Sequence, residues 1–263
     1  MRIFCLVISA IFLAILVVAC DHDNDHDGLA GYPMKTGTIW KYERILSLEY
    51  YESELSGNIV RTDSFLSEVY VVVVRDTVLN GKAVKCFGAY DYPASFRSME
   101  FFFEDTEGLK CYGYWNPGPV VYARKTGSVI GNLFSFRGLS GMVGMIEDDA
   151  PLFLEDPPTL NIKYPLKKEI RWTYRYPRQG MPLQIDKKAV GEEVLESNGK
   201  LYGCIKVEYV YMNSDIFSGL QMTDWIAEEG LVQRISTIDR VTLTTNGGDT
   251  LGTVRMKEIL VLK

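Results

Sequence analysis

The stretch CDHDNDHDG, residues 20–28, gathers the chain's only two histidines, His22 and His26, with four aspartates. Asp23, Asp25 and Asp27 followed by Gly28 match the opening of a calcium loop, where alternate carboxylates converge on a hard cation and the glycine permits a sharp turn. Such a loop closes with a bidentate glutamate at its twelfth position, which here is Met34. The histidines suit a softer metal, but they lie in a strongly charged stretch with no core to preorganise a site. A polar tether is therefore the favoured reading, with Asp23, Asp25 and Asp27 as the weaker metal alternative. No metal or other cofactor is expected.

With both histidines in that run, the rest of the chain has none. This removes Ser-His-Asp and Cys-His catalysis and any histidine-ligated metal from the body. Paired carboxylates of the glycosidase kind remain, with Asp148, Asp149, Glu192, Glu193, Glu228 and Glu229 as candidates. Adjacent acids on a strand point to opposite faces and are not expected to share a site. The two glutamate pairs also sit beside hairpin turns, where solvated charge is ordinary. No catalytic residue is assigned. Cys86, Cys111 and Cys204 form no regular framework and read as buried hydrophobes, a disulfide between Cys86 and Cys111 being left open. Binding chemistry has better support in YGYWNPGPVVY, where Tyr112, Tyr114, Trp115 and Tyr122 surround a Pro-Gly-Pro turn. Aromatic rings on rigid turns stack on sugar faces or partner side chains, and alternation places Tyr112 and Tyr114 on one face. The competing reading for each ring is ordinary sheet core.

Residues 1–19 combine Arg2 with an apolar run that falls short of the ~20 residues of a transmembrane helix, and aspartates follow abruptly. Val17, Val18, Ala19 and Cys20 resemble the lipobox of bacterial lipoproteins. The resemblance implies a signal peptide over residues 1–19, a diacylglycerol thioether on Cys20 and an acidic tether over 20–30. At ~0.8 kcal/mol per buried methylene, two or more acyl chains hold a protein firmly on a membrane. Acidic residues behind the cysteine resemble the surface-export signal of Bacteroidetes-type lipoproteins. Together these imply an outer-membrane protein on the periplasmic or cell-surface side.

Elements that could position such residues read as strands. Lys and Arg number 28 against 34 Asp and Glu, with no basic stripe, so nucleic acid is not an expected partner. Tyr (16) and Phe (12) are abundant, and they recur with Val, Ile and Thr in short alternating runs that favour β structure. A repeat organises these runs. YPMKTGTIWKYE from Tyr32 returns as YPLKKEIRWTYR from Tyr164, NGKAVKC from Asn80 as NGKLYGC from Asn198, and EGL from Glu107 as EGL from Glu229. Asn-Gly supplies the positive φ angles of a type I′ hairpin turn, and a third such turn stands at Asn246. Trp40 and Trp172, equivalent in both copies, read as core anchors.

The expected fold is thus all-β: an antiparallel meander of two related units, sandwich or half-barrel in type, with few helices. The first unit spans 31–133 and the second 163–263, joined by a connection over 134–162. In that connection Gly138, Gly141 and Gly144 lack dinucleotide-binding spacing. The two openings, with DWIAEEGLVQR from Asp224, resemble uncharacterised envelope lipoproteins carrying Y-P-L-x-x-G-x-x-W-x-Y units. Glu169 stands where that pattern, and Gly37 in the first copy, has glycine, so the second turn is expected to differ. The functional expectation is a lipid-anchored binding or assembly module for a glycan or envelope protein, leaning away from an enzyme. The alternatives are a carboxylate-dependent glycoside hydrolase and a purely structural envelope subunit.

Overall fold

The structure, a computed structural model, describes residues 28–91, 95–115, 122–125, 128–131, 152–177, 184–212, 219–244 and 250–263. Cys20, Asp23, Asp25, Asp27, Asp148, Asp149, the turn at Asn246 and residues 134–151 of the expected connection lie outside this set. Every regular element among the described residues is a strand: β1 Ile39–Tyr51, β2 Ile59–Leu79, β3 Lys82–Asp91, β4 Ser95–Asp105, β5 Gly108–Trp115, β6 Tyr122–Lys125, β7 Ser128–Gly131, β8 Phe153–Lys163, β9 Arg171–Arg175, β10 Gln184–Ser197, β11 Lys200–Met212, β12 Leu220–Ala227, β13 Gly230–Thr244 and β14 Thr250–Leu262. The alternation that predicts strands decides which side chains are buried. In β14, Val254, Met256, Glu258, Leu260 and Leu262 are buried while their neighbours are not.

Twelve strands form one antiparallel path in the order β8-β5-β4-β3-β2-β1-β14-β13-β12-β11-β10-β9. Its two end strands are consecutive in sequence, so the sheet curls into a nearly closed meander barrel. The β6–β7 hairpin pairs with β13 at Thr242–Thr244. The repeat is visible as two runs of six strands, β1 to β5 with β8, then β9 to β14. Part of the stretch read as a connection is therefore strand β8, paired with β5 from Lys163 to Phe153. Pro157 and Pro158 are tolerated there because β8 ends the path and, among the described residues, has a strand partner on one edge only.

Turn chemistry matches expectation at both Asn-Gly pairs, with φ of 47° and 78° at Asn80-Gly81 and of 51° and 74° at Asn198-Gly199. The second opening does not differ in its turn. Gly37 has φ 90° and Glu169 has φ 69°, and the amide of each donates to the neighbouring strand, Gly37 to Val73 O and Glu169 to Ala189 O, both at 2.8 Å. The left-handed geometry is kept, and Glu169 adopts it without the freedom of glycine.

Trp40 and Trp172 are both buried, as the repeat predicts. Their ring nitrogens hold carbonyls, Trp40 that of Glu229 at 2.6 Å and Trp172 that of Leu160 at 2.9 Å. The openings also grip each other's Glu-Gly-Leu turns. Tyr32 OH accepts from Leu231 N at 3.0 Å, Tyr42 OH donates to Leu231 O at 2.9 Å, and Tyr164 N donates to Glu107 O at 2.9 Å. Glu104 accepts from both openings, from Tyr32 N at 3.1 Å and from Tyr164 OH. The repeated motifs are thus two halves of one contact, each unit supplying what the other needs.

A candidate cleft on the second unit

Within the aromatic segment, Tyr112 and Tyr114 do not share the face that alternation assigns them, and the turn over residues 116–121 lies outside the described set. The β4–β5 ladder shifts register between Phe101 and Phe102, leaving Tyr112 as the extra residue of a bulge. Beyond it the alternation is reset. Tyr112 meets Phe103 edge-on at 6.4 Å, whereas Tyr114 is buried and stacks on Phe153 at 5.0 Å within the core. Trp115 is half-buried opposite Met99, and Tyr122 lies in β6 with its side chain outside the described set. Cys86, Cys111 and Cys204 are free buried thiols. Burial pushes all three up, Cys204 to about 11, so they are poor nucleophiles near neutral pH.

The glutamate pairs behave differently. Residues 192–194 of β10, 201–205 of β11 and 226–229 at the end of β12 line one cleft of about 440 Å³, with Gly28 and Leu29 at its side. Glu192, Glu193, Glu228 and Glu229 all share it, against the expectation that adjacent acids part to opposite faces. The reason lies in the strand pairing. β11 pairs with β12 only from Ile205 to Glu208, so residues 200–204 extend past the end of the ladder. The cleft meets β11 along this bare edge, and buried Tyr202 and Cys204 line it together with exposed Leu201 and Gly203. A cleft lying over one face would be lined by alternate residues only.

Charge in the cleft is partly neutralised. Glu193 accepts from Trp225 Nε1 at 2.6 Å and from Lys206 Nζ at 3.1 Å, and the Trp225 bond leads in holding its carboxyl below the usual range. Glu229 pairs with Lys200 at 2.6 Å, which lowers it likewise. Among the described residues Glu192 and Glu228 have no ion pair. The wall is aliphatic, with Leu29, Leu201, Ile205, Ile226 and Ala227, and Val194 and Leu201 are about two-thirds exposed. A side-chain carbon built on Gly203 meets nothing within 4 Å. A glycine inside a strand with open space above it marks a place where a ligand or another backbone can come close.

A second polar constellation, missed in the sequence, is buried among the aromatic core. Arg234 makes a two-pronged bond to Asp224 at 2.6 and 2.8 Å, and Tyr209 OH donates to the same carboxylate at 2.8 Å. Arg44 pairs with Glu258 at 2.5 Å, and Arg175 with Glu155. Lys187 Nζ donates to Asn161 O at 2.9 Å between the rings of Tyr174 and Tyr209, 4.5 and 4.3 Å from their centroids. Burial pushes Lys187 down to about 7, with Asp224 opposing the shift and Arg234 adding to it. Near neutrality the amine therefore releases its proton easily. The readable sign was a charge at core-facing positions of apolar strands, as in RMKEILVL around Glu258, but locating those positions requires the register. Among the described residues no group of three His, Cys, Asp or Glu is placed to hold a metal ion.

Fold and cleft define the chain as a nearly closed antiparallel meander barrel with a ligand-sized opening in its second half. No family model and no curated protein matches it. A crystal structure of a DUF1329 family protein from Desulfovibrio piger is similar over 88% of this chain and 85% of that one, at 11% sequence identity and a TM-score of 0.23.

Proposed function

We propose that this chain is a lipid-anchored envelope protein, held on the outer membrane through Cys20, that works as a binding or assembly module with its ligand in the cleft beside β11. The observation that carries this reading is the short β11–β12 ladder, which leaves an opening of about 440 Å³ over Gly203. That volume lies in the ~300–1,000 Å³ range of pockets that hold compact ligands. Binding fits the cleft better than glycoside hydrolysis, which needs one carboxyl kept protonated near neutrality. Glu193 and Glu229 are both pushed the other way.

The test is Gly203→Trp, which adds a large side chain to a lining residue of the cleft where a side-chain carbon meets nothing within 4 Å. Glycan and peptide arrays are probed with the wild-type chain and this variant. A probe bound by the wild type and lost by at least tenfold in the variant supports the module reading. Equal binding by both proteins sinks the cleft as the site. The anchor is tested separately: Cys20→Ser is expected to move the protein from the membrane to the soluble fraction, and retention on the membrane would overturn the lipid attachment.

A further inference from the structure

We infer that the ligand is an extended peptide segment of a partner protein carrying lysine or arginine, which adds as a strand along the open edge of β11 at residues 200–204. The inference rests on the binding reading above and gives it a ligand class. Three independent features point the same way.

The first is the backbone. A strand edge with no partner presents a row of amides and carbonyls, and extended peptides dock on such edges by continuing the ladder. Residues 200–204 have β10 on one side and no strand on the other among the described residues.

The second is charge. Four carboxylates surround the cleft and two are answered by Lys200 and Lys206, which leaves Glu192 and Glu228 to receive a partner's cations.

The third is the wall. Sugars are bound by stacking on aromatic faces. Here the exposed surface is Val194 and Leu201, while Tyr202 is buried. Aliphatic walls between acidic rims suit alternating apolar and basic side chains, since successive residues of a strand point to opposite sides.

The experiment uses an acetylated, amidated pentapeptide of alternating lysine and valine, titrated into the mature chain and read by tryptophan fluorescence and calorimetry. Controls are the glutamate-valine counterpart, a version methylated on alternate backbone nitrogens, and maltohexaose. The lysine peptide is expected to bind and to weaken at least tenfold with backbone methylation, with Glu192→Gln combined with Glu228→Gln, and with Gly203→Trp. Raising salt from 50 to 500 mM is expected to weaken it as well. Binding that is indifferent to backbone methylation overturns the strand-addition mode. Binding of maltohexaose, lost in Gly203→Trp, with no response to the lysine peptide overturns the peptide class and leaves the module reading standing. Indifference of every bound probe to Gly203→Trp overturns both.

Discussion

Lys187 is the residue whose environment departs furthest from its chemistry in water. The unfolded chain keeps its proton to about pH 10.4, whereas the folded chain releases it at about 7. Between these values the unfolded state binds more protons, so this lysine makes stability rise with pH. Cys111 and Cys204, pushed up by burial, act in the opposite sense once pH passes the free thiol value of about 8.5. The window that isolates Lys187 is therefore pH 7 to 8.5, where it should contribute a gain of about 1–2 kcal/mol. Urea unfolding of the wild type should show this rise and Lys187→Met should lack it; an equal slope in both would refute the assignment. Glu169 poses the converse problem, a side chain in a backbone conformation that favours glycine. Glu169→Gly should stabilise the protein by about 0.5–1 kcal/mol, seen as a higher melting temperature.

Turns and ladders carry the next set of forces. Gly108 and Gly37 both have positive φ, but a side-chain carbon at Gly108 runs into the Ile162 carbonyl of β8, while one at Gly37 meets nothing within 4 Å. Gly108→Ala should cost about 3 kcal/mol and speed amide exchange along β8, against about 1 kcal/mol for Gly37→Ala. Similar losses in denaturant titrations of the two would mean that crowding at β8 is not the cause. The same contrast explains what was legible beforehand. The hairpins at Asn80-Gly81 and Asn198-Gly199 were readable because a local backbone requirement selects those residues. The paired tryptophans were readable because duplication repeats a core. β8 was hidden because Pro157 and Pro158 break strands except at the end of a sheet, and position in a sheet is not local information. The cleft was hidden for a related reason. Glu192, Glu193, Glu228 and Glu229 were visible as candidates, but where the β11–β12 ladder stops is decided by long-range pairing. Tyr112 and Tyr114 were misplaced by one bulge, which resets the alternation they were read from.

At the scale of the molecule, the two six-strand runs are joined strand to strand where β1 pairs with β14 from Tyr42–Leu262 to Tyr50–Val254. Across this seam the Arg44–Glu258 pair is buried, and Tyr32, Trp40 and Tyr42 hold the Glu229–Leu231 turn. A chain cleaved within residues 134–151 should therefore melt as one calorimetric unit, the pieces staying together. Two separated transitions would show that the units are autonomous. The seam also sets a schedule. Arg44 and Glu258 are 214 positions apart, so during synthesis the outer edge of β1 is left without its mate until β14 has emerged. A bare strand of this kind invites pairing with a neighbouring molecule, and closure over such a span is slow.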